Sequence, residues 1–281
     1  MKTLTLSTII LSAVLTTHTA NAQDVQGYAT PVSYTQQIKT LASQSSCAKY
    51  SFKSRGKAPV GYINGMALTY ARSLCRIRAN GASPAVAKIL SAANTRNTSK
   101  DALAYYASIF SARGIDTYTA GDNAVKAIYT LGIGLGMRES SGSYCEGWDR
   151  SAGSNRSSAE AEAGLFQVSY DSIGASSELS RLYKEYQANT SRCGLEVFKQ
   201  GVSCGSSSTL GTGAGATFQK FNKACPAFAA EYGMTMLRVR RNHFGPINRQ
   251  EAEVVPACHS LLKTVEQMVD ANPESLCGEI Y

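Results

Sequence analysis

The sequence predicts a mainly α-helical domain with long irregular loops, cross-linked by disulfides. From about residue 33 onward, apolar residues recur three and four positions apart, which is the period of a helix buried on one face. Residues 121–140 are apolar nearly all round such a helix, which indicates a buried central helix. Eight cysteines follow an N-terminal export signal, and paired cysteines are typical of exported proteins.

The first 22 residues have the features of a secretory signal peptide. The segment MKTLTLSTIILSAVLTTHTANA contains one early lysine, an apolar stretch and the small-residue end ANA, so we expect cleavage after Ala22. The apolar stretch is too short and too rich in threonine to span a bilayer well. We therefore expect residues 1–22 to be removed and the mature protein to be secreted or periplasmic, without stable membrane insertion.

The mature chain is expected to form one continuous globular unit of two regions. Residues 23–120 form an N-terminal helical region, and residues 121–281 carry the candidate site. Periodicity predicts helices over residues 33–44, 61–79, 83–95, 100–114, 121–140, 178–189 and 194–201. A flexible linker at 203–216, one long helix beyond it and a last helix over about 251–271 complete the prediction.

Capping residues and apolar stripes support these assignments. Ser83 before Pro84 is a good N-cap with proline at the first helical position, and Gly114 is a typical helix end. The long helix after the linker has an aromatic stripe made of Phe218, Phe221, Cys225, Phe228, Ala229 and Tyr232. The last helix has an apolar stripe made of Leu261, Leu262, Val265 and Met268.

All eight cysteines lie after the predicted cleavage site, and their even number predicts up to four disulfides. Cys145 lies in a long Ser- and Gly-rich loop over residues 140–162, and we expect it to pin that loop covalently. The chain has no CxxC pair, and only His243 and His259 remain after cleavage. A zinc site is therefore not expected, and neither a metal nor a cofactor is predicted.

The chain is basic, with a formal net charge of +8. A basic exported protein is attracted to anionic surfaces such as bacterial walls, although a moderate net charge also serves solubility. The arginines near the C-terminus are expected to form a solvated basic face, with contact to an anionic wall polymer as the alternative. They are Arg238, Arg240, Arg241 and Arg249.

The central helix brings one carboxyl group to the end of its apolar stripe. The stripe consists of Val125, Ile128, Tyr129, Gly132, Leu135, Gly136 and Glu139. Burial and the negative end of the helix dipole both raise the pKa of a carboxyl group placed there, as a general acid at neutral pH requires. The alternative is a glutamate that marks the helix exit into solvent beside Arg138. The glycines of this helix predict close packing against another backbone.

The segment around this glutamate, RESSGSYCEGWDR followed by AEAGLFQVS, resembles the lysozyme superfamily pattern of goose-type lysozymes and soluble lytic transglycosylases. In that pattern a helix ends in a Glu-Ser pair, here Glu139-Ser140, and a GLMQ element follows, here residues 164–167 with phenylalanine for methionine. The goose-type GWGDR loop is matched by residues 147–150 with one glycine missing. The resemblance covers residues 121–172 and implies a lysozyme-like helical fold.

The resemblance implies that Glu139 protonates the glycosidic oxygen and that Asp149 helps to position water. The acid often found after GLMQV is replaced by Ser169, so Glu162 and Asp171 are alternatives for the second carboxylate. The residues expected to contact substrate are Ser140, Trp148, Gly164, Leu165, Phe166, Gln167, Tyr170 and His243.

Several of these side chains have an equally simple structural interpretation. Trp148 and Phe166 could stack on a sugar or pack beside a disulfide. Gln167 could bind an N-acetyl group or tie the loop, and His243 could contact substrate or act in capping or packing. Glu146 and Glu160 are expected to be solvated loop charges.

The sequence therefore predicts a monomeric peptidoglycan-cleaving glycosidase that acts on the MurNAc-GlcNAc β-1,4 bond, either as a muramidase or as a lytic transglycosylase. The alternatives are a chitinase- or chitosanase-like glycosidase and a non-catalytic glycan-binding protein on the same fold. A pure binder has no need of Glu139 on a buried stripe. A nuclease or membrane-active protein is disfavoured because the chain lacks a His-metal cluster and a cationic amphipathic repeat, so no nucleic acid partner is expected.

Overall fold

The computed structural model describes residues 32–79, 84–150 and 156–281. The predicted signal peptide and the Ser83 cap lie outside these residues. Residues Val32–Tyr281 cluster as one compact unit. Their regular structure is mainly helical, and the two short strands β1 (Ser51–Phe52) and β2 (Gly56–Lys57) form an antiparallel hairpin.

The helices follow the predicted order along the chain. They are α1 (Tyr34–Gln44), α2 (Ser46–Lys49), α3 (Val60–Arg78), α4 (Pro84–Ser91), α5 (Ala102–Tyr105), α6 (Ala107–Ser111), α7 (Asp122–Ser140), α8 (Ser177–Ala188), α9 (Leu195–Phe198), α10 (Gly213–Ala224), α11 (Pro226–Val239), α12 (Gly245–Asn248), α13 (Pro256–Ala271) and α14 (Pro273–Ile280). Short 3-10 helices cover Tyr170–Ala175, Thr190–Cys193 and Arg241–His243.

The central helix α7 is buried nearly all round, as predicted, and packs against α3, α4, α11 and α13. Glycines in α7 permit this helix to lie very close to its neighbours. A Cβ atom on Gly134 would lie 2.2 Å from the carbonyl oxygen of Glu253, and one on Gly136 would lie 2.3 Å from the hydroxyl of Tyr62. The predicted backbone contact is confirmed at Gly134, whereas Gly136 makes room for a side chain.

Two of the predicted helices are broken. The aromatic stripe predicted one long helix, but Pro226 divides it into α10 and α11 because proline restricts the residue before it. Cys225 accordingly leaves the helical region, with φ −127° and ψ 68°. The segment 100–114 is likewise two helices, since the backbone of the fully buried Tyr106 turns out of the helix between them.

Helix boundaries also differ at the linker and at the C-terminal end. The last four residues of the predicted linker, 213–216, belong to α10. The last predicted helix begins at Pro256 rather than near Glu251, and α14 follows it as a helix that the apolar pattern did not predict.

Four disulfides use all eight cysteines, as the even count predicted. They join α2 to α13, α3 to α14, the long loop to the linker, and a 3-10 helix to the α10–α11 junction. The pairs are Cys47–Cys258, Cys75–Cys277, Cys145–Cys204 and Cys193–Cys225. Four disulfides fit an oxidising compartment. Within the described ranges, no helix has the length and apolar character needed to cross a membrane.

The prediction of a solvated basic face is wrong for Arg238. Arg238 is 5% exposed, and its guanidinium group pairs with Asp101, with the Nε–Oδ1 atoms 2.9 Å apart. The same group donates to the carbonyl groups of residues 90, 92 and 93. A guanidinium with this set of acceptors is satisfied without water, so Arg238 fastens α11 to the segment after α4.

Candidate functional site

The last turn of α7 carries Glu139 to the edge of the core. Directly after the helix the chain turns sharply, because Ser141 adopts a left-handed conformation with φ 55°. The N–H groups of Ser141 and Gly142 donate to the carbonyls of Met137 and Gly136 at 3.0 and 3.1 Å, which completes the helix end. This exit leaves the side chain of Glu139 half-buried, whereas the preceding turns are fully covered.

The second wall of the site is the AGLFQV segment, residues 163–168. It forms a tight turn closed by a hydrogen bond of 3.3 Å between its first N–H and its last carbonyl. Gly164 and Gln167 have positive φ angles of 81° and 46°, which the turn requires. The hydroxyl of Ser140 donates to the carbonyl of Leu165 at 2.8 Å, so this turn is fastened to the end of α7.

The loop residues 146–149 lie between this turn and the segment around Ser208. As predicted, Cys145 pins the loop, through its disulfide with Cys204. Hydrogen bonds to the backbone of these four residues hold the loop as well. These bonds run from Gly164 N to the Glu146 carbonyl (2.9 Å), from Gln167 Nε2 to the Gly147 carbonyl (3.3 Å), from Trp148 N to the Ser208 carbonyl (3.4 Å) and from Asp149 N to the Glu162 carbonyl (3.3 Å).

These walls enclose a cleft of about 640 Å³. Its acidic lining residues are Glu139, Glu146, Asp149 and Glu162. Its basic lining residues are Arg55, Arg138, Arg150, Arg249 and His243. The remaining lining residues are Gly147, Trp148, Gln167, Ser206, Gly245 and Pro246. The cleft is therefore a polar site with many ionisable groups.

The carboxyl group of Glu139 has a pKa raised from 4.5 to about 8. Burial is the main cause, and the negative charges of Glu162 and Asp149 add to it, while Arg249 and Arg55 oppose it. Among the described residues, no hydrogen bond or ion pair holds this carboxyl group. Burial also raises the pKa of Glu162. With a pKa of about 8, Glu139 is protonated at neutral pH and able to donate its proton.

Three arginines of the cleft lining, Arg55, Arg138 and Arg249, are joined through the end of α7 and through Glu251. Arg138 and Arg249 both donate to Glu251, at 3.0 and 2.8 Å, and these bonds lower the pKa of Glu251 to about 2. Arg55 comes from the turn between β1 and β2, and its Nη2 donates to the Arg138 carbonyl at 2.6 Å. Arg249 is well exposed, so its guanidinium group can reach a ligand.

The predicted site residues fall into two groups. Those that line the cleft are Glu139, Trp148, Asp149, Glu162, Gln167 and His243. Those outside its lining are Ser140, Gly164, Leu165, Phe166, Tyr170 and Asp171. Asp171 accepts a hydrogen bond of 2.6 Å from Ser169.

For most of the second group the structure shows a packing or fastening role instead of substrate contact. The side chains of Leu165 and Phe166 are fully buried in the core, so Phe166 packs and does not stack on a ligand. Tyr170 packs against Phe218, with ring centroids 5.9 Å apart. Ser140 is buried as well, and it fastens the turn through the bond described above.

Several cleft residues were not predicted from the sequence. Arg55 and Ser206 come from segments far from the quoted pattern, and they carry no local signal of their own. Glu146, expected to be a solvated loop charge, is exposed as predicted and also lines the cleft. Among the residues that the structure describes, no His, Cys, Asp and Glu group has the arrangement of a metal site.

In comparisons with known proteins, no protein-family model, no curated protein and no solved structure matches this chain.

Proposed function

We propose that the protein is an exported glycosidase with a lysozyme-like helical fold that cleaves the MurNAc-GlcNAc β-1,4 bond of peptidoglycan. The observation that carries this proposal is the placement of Glu139 in a polar cleft with its pKa raised to about 8. A carboxylic acid that stays protonated at neutral pH can protonate the oxygen of a glycosidic bond as it breaks. The four disulfides are consistent with export.

The second carboxylate of the reaction is proposed to be Asp149, which lines the same cleft and helps to position the attacking water. Glu162 is the alternative, because it also lines the cleft and its charge is the largest electrostatic contribution to the raised pKa of Glu139. Asp171 is the weakest of the three candidates, since it does not line the cleft.

Charge favours a muramyl substrate over neutral chitin. The lactyl group of N-acetylmuramic acid carries a carboxylate, which chitin lacks. Arg55, Arg138 and Arg249 line the cleft, and guanidinium groups bind carboxylates through charge-assisted hydrogen bonds. A substrate with an acidic substituent next to the scissile bond would therefore be bound more strongly than a neutral one.

The proposal is tested by the loss of turbidity of purified peptidoglycan on addition of the mature, disulfide-bonded protein. Wild type should clear the suspension, and Glu139→Gln should be slower by at least about 10²-fold, because the amide cannot donate the proton. Glu196→Gln is the matched control, since Glu196 is an exposed glutamate outside the cleft lining. Equal clearing by wild type and Glu139→Gln, or no clearing by either, would refute the proposal.

Mass spectrometry of the products separates the two reaction types. Products with reducing ends show that water attacks the anomeric carbon, whereas 1,6-anhydro ends show that the muramyl 6-hydroxyl attacks. We expect reducing ends, because Asp149 and Glu162 line the cleft beside Glu139 and can hold a water molecule.

A further inference from the structure

The cleft contains one imidazole group that the proposed reaction has not yet used. His243 lies in the 3-10 helix Arg241–His243 and lines the same cleft as Glu139. Its Nε2 atom is 3.3 Å from the hydroxyl oxygen of Ser169, and that hydroxyl lies 2.6 Å from Oδ1 of Asp171. The three side chains form one hydrogen-bonded chain that runs from the cleft to Asp171, an exposed residue outside the cleft lining.

The direction of these hydrogen bonds follows from the number of protons. A serine hydroxyl has one proton, and Ser169 donates it to Asp171, because a carboxylate can only accept. The contact with His243 therefore requires that Nε2 carries the hydrogen and that Ser169 accepts it. In a neutral imidazole this leaves Nδ1 with a lone pair. Among the described residues, no hydrogen bond occupies Nδ1.

The surroundings of the His243 ring act on its pKa in opposite directions, and the lowering effect is the larger. Burial lowers the pKa of His243 below its usual 6.5, and the charge of Arg240 acts in the same direction. Asp171 acts in the opposite direction, because its negative charge stabilises an imidazolium. The other charged groups that line the cleft together with His243 are Glu139, Glu146, Asp149, Glu162, Arg55, Arg138, Arg150 and Arg249. His243 can thus accept a proton at neutral pH, and Asp171 is placed to stabilise the product of that transfer.

We infer that His243 is a second catalytic residue of the hydrolysis, accepting at Nδ1 the proton of the water molecule that attacks the anomeric carbon, with Ser169 and Asp171 as positioning residues. This inference rests on the proposed function. A water molecule has two protons, and orienting its lone pair toward carbon requires an acceptor for each of them. Asp149 accepts one hydrogen bond, and Nδ1 of His243 accepts the other.

The reaction balances without any further reactant. The bond between the anomeric carbon and the glycosidic oxygen breaks, and Glu139 gives its proton to that oxygen. A bond forms from the water oxygen to the anomeric carbon, and one water proton moves to Nδ1 of His243. The imidazolium then donates from Nε2 to Ser169, whose hydroxyl donates to Asp171. Solvent returns the proton from His243 to Glu139 for the next turnover.

The first test compares the two histidines of the described chain. His243→Ala should lower kcat by about 10²-fold with little change in KM, because general base catalysis contributes to the chemical step. His259→Asn is the control, since His259 is absent from the cleft lining. Wild-type kcat in His243→Ala would overturn the inference.

Rescue by azide distinguishes a catalytic base from a residue that only maintains the structure. Azide attacks the anomeric carbon without losing a proton, so it needs Glu139 but no base. Sodium azide should raise the turnover of His243→Ala by at least about 10-fold over its azide-free rate and produce a glycosyl azide, detected by mass spectrometry on soluble peptidoglycan fragments. It should not restore Glu139→Gln. An inactive His243→Ala that forms no glycosyl azide would overturn the inference.

The pH profile tests the positioning residues. The acidic limb of kcat/KM should follow the protonation of His243, and Asp171→Asn should move that limb to lower pH because the imidazolium loses a stabilising charge. The basic limb, which follows Glu139, should stay near pH 8. An acidic limb that does not move in Asp171→Asn contradicts the inference.

Two further measurements keep the inference testable if a variant fails to fold. Nitrogen-15 NMR of the wild-type protein should show His243 neutral at pH 7.5 with its hydrogen on Nε2, and the opposite tautomer would overturn the inference. Exclusive formation of 1,6-anhydro products would also overturn it while leaving glycan cleavage intact. Full activity of Glu139→Gln would instead refute the proposed function itself.

Discussion

The hydroxyl group of Ser140 donates a hydrogen bond of 2.8 Å to the carbonyl of Leu165, and so joins the helix of the candidate acid to the turn that forms the facing wall. Ser140 follows Glu139 directly, and Leu165 lies two residues before Gln167. Both groups are buried, so water cannot replace the bond. The distance between the two walls of the cleft thus depends on a contact outside the cleft lining.

Ser140→Ala should therefore destabilise the protein. The substitution leaves the buried Leu165 carbonyl without this donor, which costs about 1–3 kcal/mol, and urea denaturation measures the loss. Thr264→Ala is the matched control, because the hydroxyl of Thr264 is also on a helix but is exposed, and it donates only to the carbonyl four residues earlier, at 3.2 Å. Equal stability of Ser140→Ala and wild type would show that the contact carries no energy.

The raised pKa of Glu139 predicts a stability change with pH. In the folded protein the group binds its proton up to about pH 8, whereas the unfolded chain releases it near 4.5. The folded state therefore holds more protons between these values, and the contribution of this group to stability falls as pH rises through that range. Glu139→Gln removes this loss. The free energy of unfolding of the variant, relative to that of wild type, should therefore rise by a few kcal/mol between pH 4.5 and pH 8. A difference between the two proteins that is independent of pH would contradict the placement of the carboxyl group.

Gly134→Ala should destabilise the central helix by about 1–3 kcal/mol or more. Its new methyl group would lie 2.2 Å from the carbonyl oxygen of Glu253, and backbone cannot rotate away as a side chain can. Gly278→Ala in α14 is the control, since a Cβ atom there has no neighbour within 4 Å. This second substitution should be neutral or stabilising by up to about 1 kcal/mol. Thermal melts of both variants give the comparison.

Arg76→Met tests the ion cluster in the core. The guanidinium of Arg76 is fully buried and pairs with Glu231 at 2.7 Å and with Glu185 at 2.8 Å. Its removal leaves the buried Glu231 carboxylate without a cation, which costs about 3–5 kcal/mol. Lys199→Met breaks an exposed pair with Glu196 and should change the midpoint of denaturant unfolding by no more than the error of measurement. Similar effects of the two substitutions would contradict this account.

Part of the fold is visible in local patterns. The position of α7, its burial and the arrival of Glu139 at its end follow from apolar spacing and from the glycines, since both are read within a few turns of one helix. The break at Pro226 was also present in the sequence, but the aromatic stripe continues in phase across it and concealed the division into α10 and α11.

The site is predicted less completely, because several of its residues join it from distant segments of the chain through tertiary packing. Glu139, Trp148, Asp149 and Gln167 belong to the quoted pattern and line the cleft. Arg55 joins them from the β-hairpin, and no feature of its neighbours in the sequence points to α7.

Sequence patterns were sufficient to predict the helical period, the pairing of an even number of cysteines and the carboxyl group at the end of a buried helix. These features depend on residues within a few positions of one another or on a count. Only the packed structure shows the disulfide partners, the pairing of Arg238 with Asp101 and the hydrogen bonds of Ser169 with His243 and Asp171. Most of these contacts join residues far apart in the chain, and the separation of such residues is fixed only when the helices pack.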